Sequence, residues 1–422
     1  ALAKRGVAVL ILPVDVSMAA APDQPNFAVH RASPVVRPSD SELDGIAYIL
    51  NESRRFAIYG GSGCQGAHDE IVALADKMKA PVAHTSRAKD FLEYDNRFNV
   101  GMTGVLGTAG GYHTLKNCDT LLLGCDFAWR QFYPDNARIV QIDIDPSHLG
   151  RRHPIELGAV GNIKDTVAAL LPRLKPRTDR TFLDDCLARH DKAVAALDKR
   201  AAPQHFGKIH PQYVATLIDK HAADDAIFTA DGGSPMVWLL RHIKANGKRR
   251  TLTSLTHGTM ANAMPQSLGA KRAFPDRQVI SMSGDGGLSM LLGDLLTAIQ
   301  EKIPIKVVVF NNGSLGFVEM EMKVEGLLNA YTNLENPDFS KVAQAIGFHA
   351  RRVERAEDLE GAIREWLAQP GPALLDVVAS KLELVMPPNV EVGQVFGTAL
   401  YSAKALLGGR AGDVWDLAVD NL

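Results

Sequence analysis

The segment that decides the fold spans residues 284–312 and reads GDGGLSMLLGDLLTAIQEKIPIKVVVFNN. Asp285 follows the strand-like run QVISMSG, and Asn311 and Asn312 end a second apolar run, IKVVVF. The helical pattern LSMLLGDLLTAIQE lies between the two runs. A strand, a helix and a second strand in this order indicate neighbouring parallel strands. Because the carboxyl ends of such strands border one crevice, we expect the aspartate and the asparagines to lie close together.

Aspartate and asparagine oxygens in such a crevice suit a hard divalent cation. Mg²⁺ takes six oxygens at about 2.1 Å and commonly shares them between protein, water and phosphate groups. Gly284, Gly286 and Gly287 let the backbone approach a phosphate, and the first N–H groups of the following helix favour an anion. The segment therefore predicts a diphosphate site bridged by Mg²⁺. Either half of the pattern alone would more often be a turn or a strand cap.

Length and composition limit the class of protein. The 422 residues suffice for two or three domains, and contents of 46% hydrophobic and 22% charged residues are typical of a globular protein. A net charge of −2, with scattered basic residues, argues against general nucleic-acid binding. Four irregularly spaced cysteines favour a reducing compartment over a disulfide framework. No apolar run approaches the roughly 20 residues of a membrane span.

The rest of the chain alternates strand and helix patterns in two regions. The first contains the strand patterns FAIYGG, APVAHTS, TLLLGC and RIVQIDIDP, and the second contains DAIFTA, QVISMSG, IKVVVFNN and ALLDVVAS. We therefore predict an α/β fold with two doubly wound parallel-sheet domains. A charged segment after Pro172 predicts a connection with one helix, and the apolar run GVAVLILPVDVS near the start predicts a buried strand.

At this point a resemblance becomes specific. GDG followed by NN resembles the thiamine-diphosphate signature, and SGDGGLSMLLGDLLTAIQEKIPIKVVVFNNGSLGFVEMEMK resembles pyruvate oxidases, most closely the quinone-dependent pyruvate dehydrogenases (pyruvate:ubiquinone oxidoreductases). The likeness extends over nearly the whole chain, through YDNRFNVGMTG, HGTMANAMPQSLGA and the C-terminal tail. It implies thiamine diphosphate and Mg²⁺, with the metal held by Asp285, the Asn312 side chain and the backbone carbonyl of Ser314.

The resemblance also implies further contacts with thiamine diphosphate. Met260 matches an apolar wedge that sets the cofactor conformation, and Phe317 matches a residue that moves into the active site on activation; either alone would more often be core packing. The implied contacts are Gly258, Thr259, Met260, Asp285, Gly286, Gly287, Asn312, Gly313, Ser314, Leu315, Gly316 and Phe317. The junction DGGSPMVW (residues 231–238) is expected to approach the diphosphate or to form a capped turn. We expect Glu319 and Glu321 to be solvated helix charges.

Three strand ends in the first region resemble the FAD contacts of the same family. They supply Met102, Thr103, Gly104 and Val105, then Cys125, Asp126, Phe127, Ala128 and Trp129, and finally Asp143. The motif GSGCQG (residues 61–66) has GxGxxG spacing, but the acidic partner expected after the second strand is missing. We therefore predict no NAD site there, since strand–helix packing accounts for these glycines.

The resemblance implies that the complete protein oxidatively decarboxylates pyruvate to acetate and CO2 and passes electrons through FAD to a membrane quinone. Acetolactate synthase or phosphate-dependent pyruvate oxidase chemistry is an alternative, and a non-catalytic binding or assembly module is another. A cytoplasmic homotetramer, peripheral on the inner face of the cell membrane, is implied. Lipid contact would use an apolar face of the tail formed by Val414, Trp415, Leu417, Ala418 and Leu422. Packing of the tail against its own core is equally expected.

The same resemblance implies the domain boundaries. Residues 1–33 would end an N-terminal pyrimidine-binding domain, 34–175 would form a central FAD-binding-type domain, 176–208 a linker, 209–382 the diphosphate- and Mg²⁺-binding domain, and 383–422 the tail. The glutamate that activates the cofactor in this family lies in the N-terminal domain, and no glutamate here matches it. We therefore expect a fragment, processed product or natural truncation, with negligible turnover and weak cofactor binding on its own.

Overall fold

The computed structural model describes residues 8–21, 23, 35–203, 208–381, 392–407 and 414. The chain divides into two compact units, Ala1–Val35 and Val36–Leu422. Within the described residues no helix is both long and apolar enough to cross a membrane.

The first unit corrects the prediction of a buried strand near the start of the chain. Residues 8–13 form no strand, and a short helix, α1 (Val14–Met18), follows them. Leu10 and Ile11 are 88% and 83% exposed. An apolar run becomes a strand only when another strand accepts its backbone hydrogen bonds, and none of the described residues of this unit does so.

The second unit contains the first of the two predicted parallel sheets, and this sheet has six strands. In chain order its strands are β1 (Phe56–Gly60), β2 (Val82–His84), β3 (Asn99–Met102), β4 (Thr120–Gly124), β5 (Arg138–Asp143) and β6 (Leu157–Val160), and their order in the sheet is β3-β2-β1-β4-β5-β6. The accompanying helices are α2 (Asp40–Glu52), α3 (His68–Met78), α4 (Lys89–Leu92), α5 (Ala109–Asn117) and α6 (Ile163–Leu170). All five residues of β1 are buried, as expected for a central parallel strand covered on both faces.

The predicted connection contains one helix, α7 (Thr181–Arg200). It is more than a linker, because Leu183 and Cys186 are fully buried in the apolar clusters beside the first sheet. The helix therefore contributes to the core of the first sheet domain. Part of the predicted connection, residues 204–207, lies outside the described residues.

A second six-stranded parallel sheet follows in the same unit. Its strands are β7 (Ile227–Ala230), β8 (Arg250–Thr253), β9 (Val279–Gly284), β10 (Lys306–Asn311), β11 (His349–Val353) and β12 (Ala373–Val378), in the order β11-β12-β10-β9-β7-β8. The helices are α8 (Pro211–His221), α9 (Ser234–His242), α10 (Ala263–Ala273), α11 (Asp285–Met290), α12 (Asp294–Gln300), α13 (Gly316–Val324), α14 (Phe339–Ile346), α15 (Ala356–Ala368) and α16 (Val392–Leu407). The α/β fold with two doubly wound parallel sheets is thus confirmed.

One predicted helix is divided. The pattern LSMLLGDLLTAIQE forms α11 and α12, which are separated at residues 291–293. Gly293 is a poor helix former, and it stands immediately before α12. The break lets α11 keep its first turn at the carboxyl end of β9, while α12 packs Leu295 and Ala298 into the core.

Helix α16 packs against α13. Tyr401 and Ala405 are fully buried, and Lys404 Nζ donates to the Gly326 carbonyl at 2.8 Å. Lys323 Nζ of α13 lies 5.4 Å from the centre of the Tyr401 ring. For α16 the expectation of packing against its own core is therefore met. The tail residues Trp415, Leu417, Ala418 and Leu422 lie outside the described residues, and lipid contact stays a prediction.

Polar contacts join the two sheets within the second unit. The Asp90 carboxylate, at the start of α4, accepts hydrogen bonds from the Thr251 N–H at 2.7 Å and the Thr251 hydroxyl at 2.8 Å. Arg241 at the end of α9 donates to the carbonyls of Leu106 and Gly107 at 3.2 and 3.1 Å. The edge strand β8 is therefore capped by the first sheet domain.

Candidate functional site

A cavity of about 280 Å³ lies at the carboxyl ends of β7, β9 and β10. It collects most of the residues that the sequence singled out for thiamine diphosphate. Those lining it are Gly258, Met260, Asp285, Gly286, Gly287, Asn312, Ser314, Leu315, Gly316 and Phe317. Thr259 and Gly313 contact residues of the lining instead. The Thr259 carbonyl accepts a hydrogen bond from the Gly232 N–H at 2.9 Å, and the Gly313 N–H donates to Asp285 at 2.7 Å. The roles of these residues stay predictions.

Asp285 presents a buried carboxylate to this cavity. Its Oδ1 accepts from the Gly286 N–H at 2.8 Å, and its Oδ2 accepts from the Gly313 N–H and the Asn336 amide, each at 2.7 Å. Burial raises the pKa of Asp285 although these hydrogen bonds favour the charged form. No described Lys, Arg or His nitrogen forms an ion pair with it, so its charge fits a bound cation.

The neighbouring oxygen donors suit the same cation. Asn312 Oδ1 accepts from the Ser314 N–H at 3.1 Å, which folds the turn after β10 so that both residues line the cavity beside Asp285. A carboxylate, an amide oxygen and a backbone carbonyl form a hard donor set of the kind that Mg²⁺ accepts. Among the described residues, no cluster of three or more His, Cys, Asp and Glu side chains offers a different metal site.

Two glycines allow the loops around the cavity to approach each other. A Cβ at Gly287 would lie 2.1 Å from Asp231 Oδ2, and a Cβ at Gly232 would lie 2.1 Å from the Gly258 carbonyl oxygen. Both distances are far inside van der Waals contact. This wall of the cavity therefore depends on bare backbone, because a side chain at either glycine would clash with protein atoms.

Asp231 connects two loops of this wall by hydrogen bonds, a role that the sequence did not reveal. Its Oδ1 accepts from the Ala263 N–H at 2.9 Å and its Oδ2 accepts from the Gly284 N–H at 3.1 Å. Burial raises the pKa of Asp231 to about 6, against the effect of these hydrogen bonds. The predicted junction at residues 231–238 does border the cavity, through Gly232, Gly233 and Ser234.

Glu319 corrects the expectation of a solvated helix charge. It is 4% exposed, accepts from the Ser314 hydroxyl at 2.6 Å and pairs with Lys323 at 2.8 Å. Burial acts to raise the pKa of Glu319, but the hydrogen bonds from Lys323 and Ser314 outweigh it and leave the pKa lowered. Ser314, Lys323 and Thr332 surround the Glu319 carboxylate, and a helical pattern in the sequence does not reveal these contacts. Glu321 is exposed and lines the cavity.

An apolar pair narrows the cavity above the glycine turn. A Cβ at Gly286 would lie 3.1 Å from the Met260 methyl carbon and 3.0 Å from a Leu315 methyl carbon. These two side chains therefore converge on the turn that begins α11. Trp238, Phe310 and Phe317 add further apolar surface to the lining.

The strand ends predicted to contact FAD partly meet in the first sheet. The Tyr59 hydroxyl donates to the Thr103 carbonyl at 3.4 Å, and the Tyr59 ring lies edge-on to Phe127 at 5.0 Å. The Thr103 hydroxyl is buried without a hydrogen-bond partner, and Val105 and Trp129 are 39% and 49% exposed. An unpartnered hydroxyl and exposed apolar side chains on these loops fit a large, partly polar ligand.

Asp126 and Asp143, from the same set, already have protein partners. Arg151 and Arg152 pair with Asp126. Asp143 Oδ1 accepts from the Asp145 N–H at 2.9 Å, and its Oδ2 lies 3.2 Å from His148 Nδ1. Protein groups therefore contact both carboxylates.

Two family models match this chain. "Thiamine pyrophosphate enzyme, central domain" matches residues 43–170, and "Thiamine pyrophosphate enzyme, C-terminal TPP binding domain" matches residues 231–377. The second range contains most of the cavity described above.

Curated proteins are also similar in sequence to this chain. A Bacillus subtilis protein named "Putative thiamine pyrophosphate-containing protein YdaP" is 32% identical over 410 residues, which is 96% of this chain and 70% of the relative. The "Probable acetolactate synthase large subunit" of Methanocaldococcus jannaschii is 30% identical over 367 residues, covering 82% and 62% of the two chains. The "Acetolactate synthase isozyme 1 large subunit" of Escherichia coli is 30% identical over 376 residues, covering 86% and 65%. The chain thus spans less than two thirds of the length of both synthases.

Proposed function

Since this chain belongs to the thiamine pyrophosphate-dependent enzyme family, we propose that the complete protein decarboxylates a 2-oxo acid, pyruvate, on thiamine diphosphate held in the cavity at β7, β9 and β10. The observation that carries the proposal is the buried Asp285 carboxylate, which has no cationic partner among the described residues and lies beside Asn312 and Ser314. Bound thiamine diphosphate would supply the carbanion chemistry that removes CO2 from the substrate.

The chain's own residues would bind and orient the cofactor. Asp285, Asn312 and Ser314 would hold Mg²⁺, and the metal would neutralise the diphosphate. The start of α11, which lines the cavity through Asp285, Gly286 and Gly287, would face the diphosphate. Met260 and Leu315 would press on the apolar part of the cofactor, and Trp238 and Phe310 would exclude water from it.

For the later steps we propose oxidation to acetate, with electrons passing through FAD to a membrane quinone. The loops at residues 102–105 and 125–129 support a flavin, because they combine the unpartnered Thr103 hydroxyl with exposed Val105 and Trp129. The proposal includes a peripheral, homotetrameric enzyme whose tail contacts lipid.

Acetolactate synthesis is the second candidate. The names of the two synthases described above favour it, since each is 30% identical to this chain over more than 80% of its length. The same cavity and the same cofactor would serve either reaction, so the difference lies in what accepts the two-carbon unit left after decarboxylation.

The test supplies the complete protein with thiamine diphosphate, Mg²⁺, FAD and pyruvate, with and without a quinone analogue. We expect CO2 and acetate formation that depends on the quinone analogue. Acetolactate formation without it would favour the second candidate, and no CO2 release would contradict both. Asp285→Asn should abolish turnover, whereas Asp294→Asn, a matched change on α12 outside the cavity lining, should leave it nearly unchanged.

A further inference from the structure

We propose that Arg352, Asp376, Asn311 and Asn336 form a positioning chain that orients the Asp285 carboxylate for a divalent cation. The inference rests on the proposed function, because it assumes that Asp285 is a metal ligand. It adds four residues outside the cavity lining to the machinery of the site.

Four hydrogen bonds connect the positioning chain from the sheet edge to the cavity. Arg352 on β11 donates to Asp376 Oδ2 at 2.8 Å, and Asn311 Nδ2 donates to Asp376 Oδ1 at 2.9 Å. Asn336 Nδ2 then donates to Asn311 Oδ1 at 2.9 Å and to Asp285 Oδ2 at 2.7 Å. The strand register supports the first link, since Arg352 and Asp376 are direct partners on β11 and β12.

The direction of each hydrogen bond follows from the chemistry of the groups. A guanidinium group only donates and an ionised carboxylate only accepts, so Asp376 must receive N–H groups from both neighbours. Asn311 therefore turns its NH2 group to Asp376 and its oxygen to Asn336. Asn336 must therefore donate to Asn311 through its NH2 group. The second N–H of that group, and not the amide oxygen, then faces Asp285. The ionised Asp376 carboxylate, which pairs with Arg352, thus favours the same Asn336 orientation that the Asp285 carboxylate requires.

The burial of the positioning chain indicates a purpose beyond stability. Asp376 is fully buried in the second sheet and Asn311 is 6% exposed, while the Arg352 side chain is 29% exposed. A buried ion pair of this kind contributes little net stability, because apolar residues of the same volume would hold a sheet as well or better. A connected polar network does specify one arrangement of its members, and here the last member is the carboxylate of the cavity.

The experiment measures Mn²⁺ binding to the complete protein in the presence of thiamine diphosphate, from the paramagnetic resonance signal of free Mn²⁺. Asn336→Leu removes both amide donors, and we expect the Kd for Mn²⁺ to rise about 10- to 100-fold. Arg352→Met acts at the far end and should raise it about threefold. The matched control is Arg351→Met, because Arg351 is the next residue on β11 and pairs with Glu365 at 3.0 Å instead. It should leave the Kd unchanged.

A urea titration of each variant without metal measures its stability. A residue with a merely structural role would lower the urea midpoint of unfolding when replaced and leave the Kd for Mn²⁺ unchanged. If the wild-type chain binds Mn²⁺ and both variants bind it equally well, the positioning chain is refuted while the proposed function stands. If the complete wild-type protein binds no Mn²⁺ with thiamine diphosphate, the metal site itself is wrong and the inference fails with it. Should Asn336→Leu fail to fold, Arg352→Met against Arg351→Met decides.

Discussion

Replacing Gly287 with alanine tests whether the cavity wall depends on close backbone packing around Asp231. The new Cβ would lie 2.1 Å from Asp231 Oδ2 and 2.7 Å from its Cγ, so the carboxylate would have to move by about 1 Å to reach ordinary contact. That carboxylate accepts from the Gly284 and Ala263 N–H groups at 3.1 and 2.9 Å. A shift of this size would break one or both hydrogen bonds.

The magnitude follows from these two contacts. A hydrogen bond to a charged group contributes about 1.5–3 kcal/mol, so losing both would cost about 3–6 kcal/mol. Gly287 lies in α11, where alanine is the better helix former by about 1 kcal/mol. We therefore expect the free energy of unfolding of Gly287→Ala to fall by about 2–5 kcal/mol.

Urea unfolding followed by circular dichroism measures this change. The control is Gly269→Ala, on an exposed position of α10 where no atom lies within 4 Å of the new Cβ, and it should stabilise the protein by up to about 1 kcal/mol. In an Asp231→Ala background, Gly287→Ala should cost little, because the clashing oxygens are gone. An equal cost in both backgrounds, or no cost in either, would refute the reasoning.

Two further predictions concern the contacts between the sheets and the pH dependence of stability. Asp90→Ala removes both hydrogen bonds to Thr251 and should lower the free energy of unfolding by about 2–3 kcal/mol, more than Thr251→Val, which loses only one; equal losses in urea titrations would contradict this. Burial and the nearby Arg241 lower the pKa of His242 from 6.5 to about 4, so the folded chain keeps it neutral. Unfolding then binds a proton between these values, and stability should fall by about 3 kcal/mol as the pH drops from 6.5 to 4. His242→Leu should flatten this part of the stability curve, and parallel curves would count against the assignment.

Sequence patterns identified the central strands of both sheets and missed the edge strands. Strand patterns located β1, β2, β4 and β5 in the first sheet and β7, β9, β10 and β12 in the second. The four missed strands are β3, β6, β8 and β11, and each is an edge strand. Edge strands are partly exposed and carry polar residues, as in RTLT and HARRV, so they lack the continuous apolar run of a central parallel strand.

Local sequence motifs were sufficient to predict the place of the candidate site. A strand end is a local feature, and GDG and NN each mark one, so a strand–helix–strand unit was enough to predict that Asp285 and Asn312 border one crevice. The thiamine-binding resemblance rested on the same local motifs and agrees with the matched family models.

The way in which those residues are held depends on contacts between distant segments of the chain. Asp231 accepts hydrogen bonds from the Gly284 and Ala263 N–H groups. Asn336 donates a hydrogen bond to Asp285, and Arg352 donates one to Asp376. Each of these partners comes from a different loop or strand, and a lone Asn or Arg carries no local signal of what it will contact. Glu319 shows the same limit, because Ser314 and Thr332, which contact its carboxylate, lie outside its own helix. Local periodicity specifies which backbone segments form, whereas the packing of distant segments specifies which polar side chains become buried and must find partners.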